Sequence, residues 1–240
     1  MVLFPPGGMQ LLILLILSGI MFICIRTKKL TIPAALLAGV TGAITYLGTG
    51  WMGILSLLLF FVLGVWATSH RKDLKAKITP EGTHPESRKA SQVFANGGVA
   101  GIVSFIACFD LSRANLYELM VAGSLASALA DTLSSELGTV YGRNFYNIWN
   151  FKREPKGLDG VVSLEGTMIG AAGAGLMALL YACFDKMGMI VLLAGVLGNL
   201  VDSVLGATLE RSKYIGNDVV NFLNTLFAAL FAGAWYLLVH

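Results

Sequence analysis

Apolar runs of membrane-crossing length recur along the whole chain. They lie at about 9–25, 32–48, 51–69, 93–109, 116–135, 166–184, 188–207 and 219–239, each close to the roughly 17–25 residues that a helix needs to cross the hydrocarbon of a bilayer. Only 13% of the 240 residues are charged and 56% are apolar, whereas a soluble domain carries about a quarter charged residues. In lipid every backbone N–H and C=O must find its partner within the protein, which leaves helices as the economical way to span. The expected fold is therefore an all-α, polytopic integral membrane bundle of about eight transmembrane helices. The second and third runs are divided only by Gly48-Thr49-Gly50.

Charge sets the orientation. All of the 17 Lys and Arg residues except Arg113 and Lys186 fall in connections after the first, third, fifth and seventh runs. Basic connections stay on the cytoplasmic side, so both termini are expected on the opposite side. The amino-terminal MVLFPPGGMQ has no basic residue ahead of its apolar run, which predicts a retained first span and not a cleaved signal. Three parts follow: a membrane scaffold over 1–69, a polar, mobile cytoplasmic connector over 70–92, and a five-helix working module over 93–240. The division rests on where polar groups enter the spans, which is almost only in the last part.

Those polar groups follow helical spacing, in which positions i, i+4, i+7 and i+11 share a face. Ser127, Asp131, Ser134 and Gly138 form one stripe, and Asn199, Asp202, Gly206 and Glu210 another. The eighth run opens with Asn217, Asn221 and Asn224 on one face beside Asp218, and the fourth with Asn96-Gly97-Gly98. All belong to the cytoplasmic halves of their spans, so a polar site is expected at the cytoplasmic face of spans four to eight. An acid at the centre of a membrane helix costs roughly 2.5–3.5 kcal/mol, and no Lys or Arg lies within these spans to neutralise Asp131 or Asp202. Mg²⁺, which takes a few carboxylates together with waters and substrate phosphates, is the expected counter-charge. Asp131, Asp202 and Glu136 are its candidate ligands. Because Glu136 is five residues beyond Asp131, both reach one site only if the helix breaks near Ser134-Ser135. The cysteines Cys24, Cys108 and Cys183 lie within apolar runs without CxxC spacing, and His70, His84 and His240 make no zinc-ligand cluster,. Gly123, Ser127, Gly170 and Gly173 read as helix-packing positions.

The connection 139–165 supplies basic residues, Arg143, Lys152, Arg153 and Lys156, beside Gly157-Leu158-Asp159-Gly160. Asp-Gly within glycines predicts a tight turn, whose successive amides can cradle phosphate oxygens. Ser163 and Thr167 then flank the start of the sixth helix, where the helix N-terminus also attracts anions. A polyphosphate site is the expectation. There is no GxxxxGK[ST] motif, which excludes an ordinary phosphate-loop fold. The tetrapeptide Ala107-Cys108-Phe109-Asp110 returns at 182–185, a short echo that raises the question of an internal duplication.

Taken together, NGG at 96–98, ADTLSSELG at 130–138, GLDGVVSLEGT at 157–167, DSVLGATLE at 202–210 and NDVVNFLNT at 217–225 resemble the family of plant and cyanobacterial phytyl-phosphate kinases. The resemblance covers about residues 90–239; residues 1–90 share only hydrophobicity. It implies Mg²⁺-dependent transfer of a phosphoryl group from a nucleoside triphosphate to an isoprenyl monophosphate, a step of tocopherol biosynthesis, with the bilayer, the nucleotide and the isoprenyl phosphate as partners and no nucleic acid. A more distant similarity to phytol and dolichol kinases points to CTP as donor. On this reading Lys152, Arg153, Lys156 and the amides near Gly157 and Gly160 hold the triphosphate, while Asn96, Asn217, Asp218 and Asn221 orient the acceptor phosphate or complete the metal shell. The isoprenyl tail would enter beside Gly170, Gly173 and Gly175. A lipid cytidylyltransferase, a polyprenol kinase and an ion or phosphate transporter use similar ingredients and stay open at this point, as does assembly into a homo-oligomer.

The charge asymmetry makes a direct prediction for single-cysteine variants of a cysteine-free chain. A membrane-impermeant maleimide should label Lys156→Cys only from the cytoplasmic side and Arg113→Cys only from the other. Labelling of both from one side would contradict the orientation.

Overall fold

The computed structural model of the chain describes residues 7–76, 87–182 and 186–239. Their helices are α1 (Gly7–Arg26), α2 (Ile32–Ser69), the short α3 (Lys72–Ala76), α4 (Ala90–Ala107), α5 (Ala114–Tyr141), α6 (Leu164–Ala182), α7 (Lys186–Leu205) and α8 (Asn217–Val239). Helix α7 runs on into a π turn, Gly206–Glu210. Among the described residues five helices, α2, α4, α6, α7 and α8, are long and apolar enough to cross a membrane. Large apolar side chains such as Leu15, Phe22, Leu36, Val62, Phe105 and Leu230 are exposed on the outside, as expected where lipid is the solvent. His84, Cys183, His240 and the second copy of the Ala-Cys-Phe-Asp echo from 183 onward lie outside the described residues.

Helix α2 begins at an N-cap, with Thr31 Oγ1 accepting from Ala34 N at 3.3 Å and a proline in the first turn. Its 38 residues would extend about 57 Å if straight, nearly twice the ~30 Å of bilayer hydrocarbon. It folds back on itself instead. Gly50 has φ 64° and ψ −149°, a backbone region that is essentially glycine's alone. The two ends meet, with Lys29 Nζ donating to Ser69 Oγ at 2.8 Å, and a Cβ on Gly53 would lie 2.9 Å from Thr45 Cγ2. The runs 32–48 and 51–69 are thus the two arms of one helical hairpin.

Helix α5 is the hub, packed against α2, α4, α6, α7 and α8. Every residue from Val121 to Asp131 is buried. Its Gly, Ser and Ala content explains this, because small side chains let neighbouring backbones approach closely. At Gly138 a Cβ would stand 2.9 Å from Gly166 Cα, so α5 and α6 nearly touch where they reach the loop face. Helix α5 can be less apolar than its neighbours because protein, not lipid, surrounds it.

One face of the bundle collects the ends of α1 and α2, the starts of α4, α6 and α8, and the last turns of α5 and α7. Arg88 N donates to Lys29 O at 2.9 Å and Thr31 N to Arg88 O at 3.1 Å, and His70 Nε2 lies 2.7 Å from Tyr141 Oη. The connector 70–92 is therefore fastened at both described ends, by α3 and by Ser87–Lys89, while 77–86 fall outside the described residues. The expected break in α5 near Ser134-Ser135 does not occur; the helix is continuous to Tyr141. The connection 139–165 also adds a feature to the all-α plan, a hairpin of β1 (Phe145–Asn147) and β2 (Val161–Ser163), antiparallel with Tyr146 opposite Val162.

The fold-back can be tested at its turn. Gly50→Ala should lower stability by roughly 1–3 kcal/mol, the cost of holding a non-glycine residue in that conformation. Gly19→Ala, in α1 with nothing within 4 Å of its Cβ, should be neutral or slightly stabilising. Thermal unfolding in detergent measures both; equal effects would contradict the turn.

Candidate active site

A cleft opens on the face where these helix ends gather, enclosing about 2010 Å³ of atom-free space when its open side is counted. Asp131, Ser134 and Gly138 of α5 line it, with Asn199, Asp202, Gly206 and Glu210 of α7 and its π turn. Asn217, Asp218 and Asn221 from the first turns of α8 line it too, as do Asn96 of α4 and Ser163 and Thr167 at the start of α6. Apart from the fully buried Ser127, both stripes read from helical spacing therefore face one space. Most of the predicted residues are brought together.

At the base of the cleft the carboxyl groups of Asp131 and Asp202 lie side by side. Ser135 Oγ donates to Asp131 Oδ1 at 3.4 Å, and Asn224 Nδ2 donates to Asp202 Oδ1 at 2.6 Å. Asn224 is fully buried one turn deeper than Asn221 and does not line the cleft. Its Oδ1 accepts from Ser127 Oγ at 3.0 Å, which fixes the amide so that its NH₂ aims at Asp202. Asn199 is held the same way, its Oδ1 accepting from Ser134 Oγ at 3.0 Å. No Lys or Arg forms an ion pair with Asp131 or Asp202 among the described residues. Asp159 and Glu210 add charge close by, near enough for Glu210 to feel both Asp159 and Asp202.

Glu136 also lines the cleft, but its carboxylate is taken by a lysine and not by the aspartate pair. On an unbroken helix it stands about 140° around from Asp131, and its Oε2 accepts from Lys75 Nζ at 2.6 Å. Lys75, almost wholly buried, also donates to the Ala67 and Thr68 carbonyls at 2.9 Å, closing the C-terminal end of α2. So α3 caps α2 and neutralises an acid of α5 with one side chain. Arg88 is the second cation in the cleft wall, donating to Thr68 Oγ1 at 3.2 Å. Burial lowers its pKa and the Glu136 charge opposes that. Neither Lys75 nor Arg88 was expected from the sequence, where both sit in a polar connector with no periodic pattern to single them out.

The hairpin from 145 to 163 lies along the cleft through Gly157, Asp159, Gly160 and Ser163. Gly157 and Gly160 have φ of 87° and 68°, which the turn requires. At Gly160 a Cβ would collide with Ala207 N, so only glycine lets the turn seat on the π turn of α7. Arg211 locks this contact, donating to Glu154 Oε2 at 2.7 Å and to Asp159 O at 2.6 Å. Ser163 Oγ accepts from Gly166 N at 3.1 Å, an N-cap for α6, and Thr167 Oγ1 donates to Ser163 O. Lys152, Arg153 and Lys156 are exposed and do not line the cleft; Arg153 rests over the Tyr146 ring, 5.6 Å from its centroid. Gly170 and Gly173 are packed against Ala130 O and Leu133 of α5, which leaves no opening for a tail there. Gly175 alone of the three faces open space.

A buried carboxyl and a half-buried one, with no basic partner among the described residues, suit a divalent metal, since Mg²⁺ is commonly held by one or two carboxylates with phosphate and water completing its shell. No group of three His, Cys, Asp or Glu converges among the described residues, so a cage made wholly of protein is not present there. Glu136, with its carboxylate committed to Lys75, does not join the pair.

The Lys75–Glu136 pair makes a stability prediction. Removing one partner of a buried ion pair typically costs 3–5 kcal/mol, and with Glu136 partly exposed Lys75→Met should cost about 3 kcal/mol. Lys75→Met combined with Glu136→Gln should recover part of that loss in detergent thermal unfolding. Additive losses would contradict a coupled pair.

The sequence is similar to those of known membrane proteins. Protein VTE6, chloroplastic, of Arabidopsis thaliana is 28% identical over 202 residues, covering 80% of this chain and 60% of that protein. An uncharacterized membrane protein of Synechocystis is 32% identical over 215 residues, 87% of this chain and 83% of that one. An uncharacterized membrane protein of Methanocaldococcus jannaschii is 30% identical over 227 residues, covering 91% and 92%. The chain thus spans about 60% of the length of the plant protein. No solved structure matches. The model of the integral membrane protein family DUF92 matches residues 15–229, and the chain belongs to that family.

Proposed function

We propose that the protein is a membrane-embedded isoprenyl-monophosphate kinase that transfers a phosphoryl group from a nucleoside triphosphate, CTP first among them, to phytyl or a similar isoprenyl phosphate. The observation that carries this reading is the pair of adjacent carboxyl groups, Asp131 and Asp202, left without a basic partner at the base of a polar cleft. The family resemblance in five ordered motifs supports it, as does the similarity to VTE6.

Asp131 and Asp202 would hold Mg²⁺, which when bound neutralises charge on the donor phosphates. Asn224 and Ser135 hold the two carboxyls in place, a positioning role. Asn199, Asn217 and Asn221 offer uncharged donors to phosphate oxygens without adding to the acidity of the cleft. The turn 157–160 forms a wall of the cleft, and Lys152, Arg153 and Lys156 on the outer hairpin attract nucleotide from a distance. Phosphoryl transfer depends mostly on positioning and charge stabilisation. An oxygen of the acceptor monophosphate attacks the γ-phosphorus, the bond from that phosphorus to the β–γ bridging oxygen breaks, and the nucleoside diphosphate leaves. The acceptor is already largely ionised near neutral pH, so no general base is needed. In the proposed topology the cleft faces the cytoplasm, where the nucleotide is.

Purified protein in liposomes, given Mg²⁺, phytyl monophosphate and CTP, ATP, GTP or UTP in turn, should form phytyl diphosphate detectable by mass spectrometry. Asp131→Asn and Asp202→Asn should each lower the rate by roughly 10²–10³-fold or more, the range for losing one preorganised charge-stabilising group. A nucleotide–lipid product with pyrophosphate would make the protein a cytidylyltransferase. Phosphate or cation flux without turnover would make it a transporter.

A further inference from the structure

A second cavity lies beside the cleft, between α1, α2 and α4, and encloses about 780 Å³ of atom-free space with its open side counted. Its wall is almost wholly apolar: Leu17 and Met21 of α1, Ile54, Leu57 and Phe61 of α2, and Val93 of α4 are among its lining. Apart from Thr41, the polar exceptions gather at one end. Arg88, Gln92 and Asn96 line this cavity and also the polar cleft, so the two spaces share a wall there. From Thr68, beside Arg88, to Ile54 the second arm of α2 descends roughly 21 Å, about two-thirds of the hydrocarbon thickness. A cation therefore stands where a long apolar slot meets the cleft of the carboxyl pair.

Asn96 adds an independent observation. It is 9% exposed, its Nδ2 donates to Gln92 O at 3.1 Å, and its Oδ1 is buried with no hydrogen-bond partner. A buried polar atom left unmatched is costly, and this one sits at the junction of the two spaces. Gly97, beside it, has only Thr41 Cγ2 near its Cβ, at 3.9 Å, so that stretch of the wall is left unfilled.

We propose that this cavity holds the isoprenyl tail of the phosphorylated lipid, with Arg88 and Asn96 at its mouth receiving the phosphate headgroup and presenting it to the Asp131–Asp202 pair. The inference rests on the kinase reading for the identity of the headgroup chemistry. It gives α1 and α2 a task beyond scaffolding, since they form the wall against which tail length is measured. It also moves tail entry away from α6, where Gly170 and Gly173 are filled by α5.

The test uses the whole protein in liposomes and a 20-carbon isoprenyl monophosphate with a diazirine at the tail end. Photo-crosslinks should fall on peptides of α1, α2 and α4 and be displaced by the same lipid without the diazirine. Crosslinks on α6 or α8, scattered crosslinks, or none would overturn the proposal. This readout needs no turnover, so it stands apart from the product assay: diphosphate formation with crosslinks elsewhere sinks the tail site and leaves the kinase. Gly97→Leu and Ala38→Phe, filling the slot from two walls, should lower the kcat/KM ratio of 20-carbon to 10-carbon acceptor at least tenfold. An unchanged ratio in folded protein would contradict the assignment.

Discussion

Two carboxyl groups side by side inside a helix bundle are the constraint around which the rest of this molecule is organised. Asp131 sits about ten residues, or roughly 15 Å of helix, from the end of α5, and Asp202 reaches it from α7. Holding two acidic groups side by side, one of them buried, is unfavourable to their charged forms unless something neutralises them, and among the described residues no basic side chain does so. The protein does invest in holding them: Ser127 fixes Asn224, and Asn224 fixes Asp202. That fixed, uncompensated pair at the base of an open cleft is the basis of the proposed cation and phosphate site.

The surrounding architecture follows from bringing that pair within reach of water without exposing it to lipid. Helix α5 is encased by five helices, which frees its sequence to be small and polar where its neighbours must be greasy. The hairpin after α5 folds over and seats Gly160 on the π turn of α7, with Arg211 fastening it. On the other side Lys75 ties α3, α2 and α5 together through two carbonyls and Glu136. Lys75 lines the cleft on one side, and Arg211 fastens the turn that lines it on the other.

Much of this was legible in the sequence because helical periodicity is local. Asp131 with Ser134 and Gly138, and Asn199 with Asp202 and Glu210, share faces by spacing alone, and the cleft unites them. The Gly48-Thr49-Gly50 break marked the α2 fold-back for the same reason. Partnerships between distant segments were not legible. Lys75 and Arg88 lie in a connector whose charges look solvated, and only tertiary packing turns them into the cleft. Glu136 was drawn into the metal set by a break in α5 that does not exist, because a free acid beside Asp131 looked unpaired until Lys75 supplied its partner. Lys152, Arg153 and Lys156 were read as phosphate ligands by adjacency to a glycine turn, yet they lie exposed in the loop that joins β1 to β2, outside the cleft lining.

The central claim is that the Asp131–Asp202 pair is a cation–phosphate centre, and Mn²⁺ binding in the presence of pyrophosphate, followed by electron paramagnetic resonance on purified protein, tests it most directly. The account predicts stoichiometric bound Mn²⁺ in the wild-type protein and its loss in folded Asp131→Asn and Asp202→Asn variants, with Glu136→Gln still binding. Equal Mn²⁺ binding by wild type and both aspartate variants, or none by any, would contradict it.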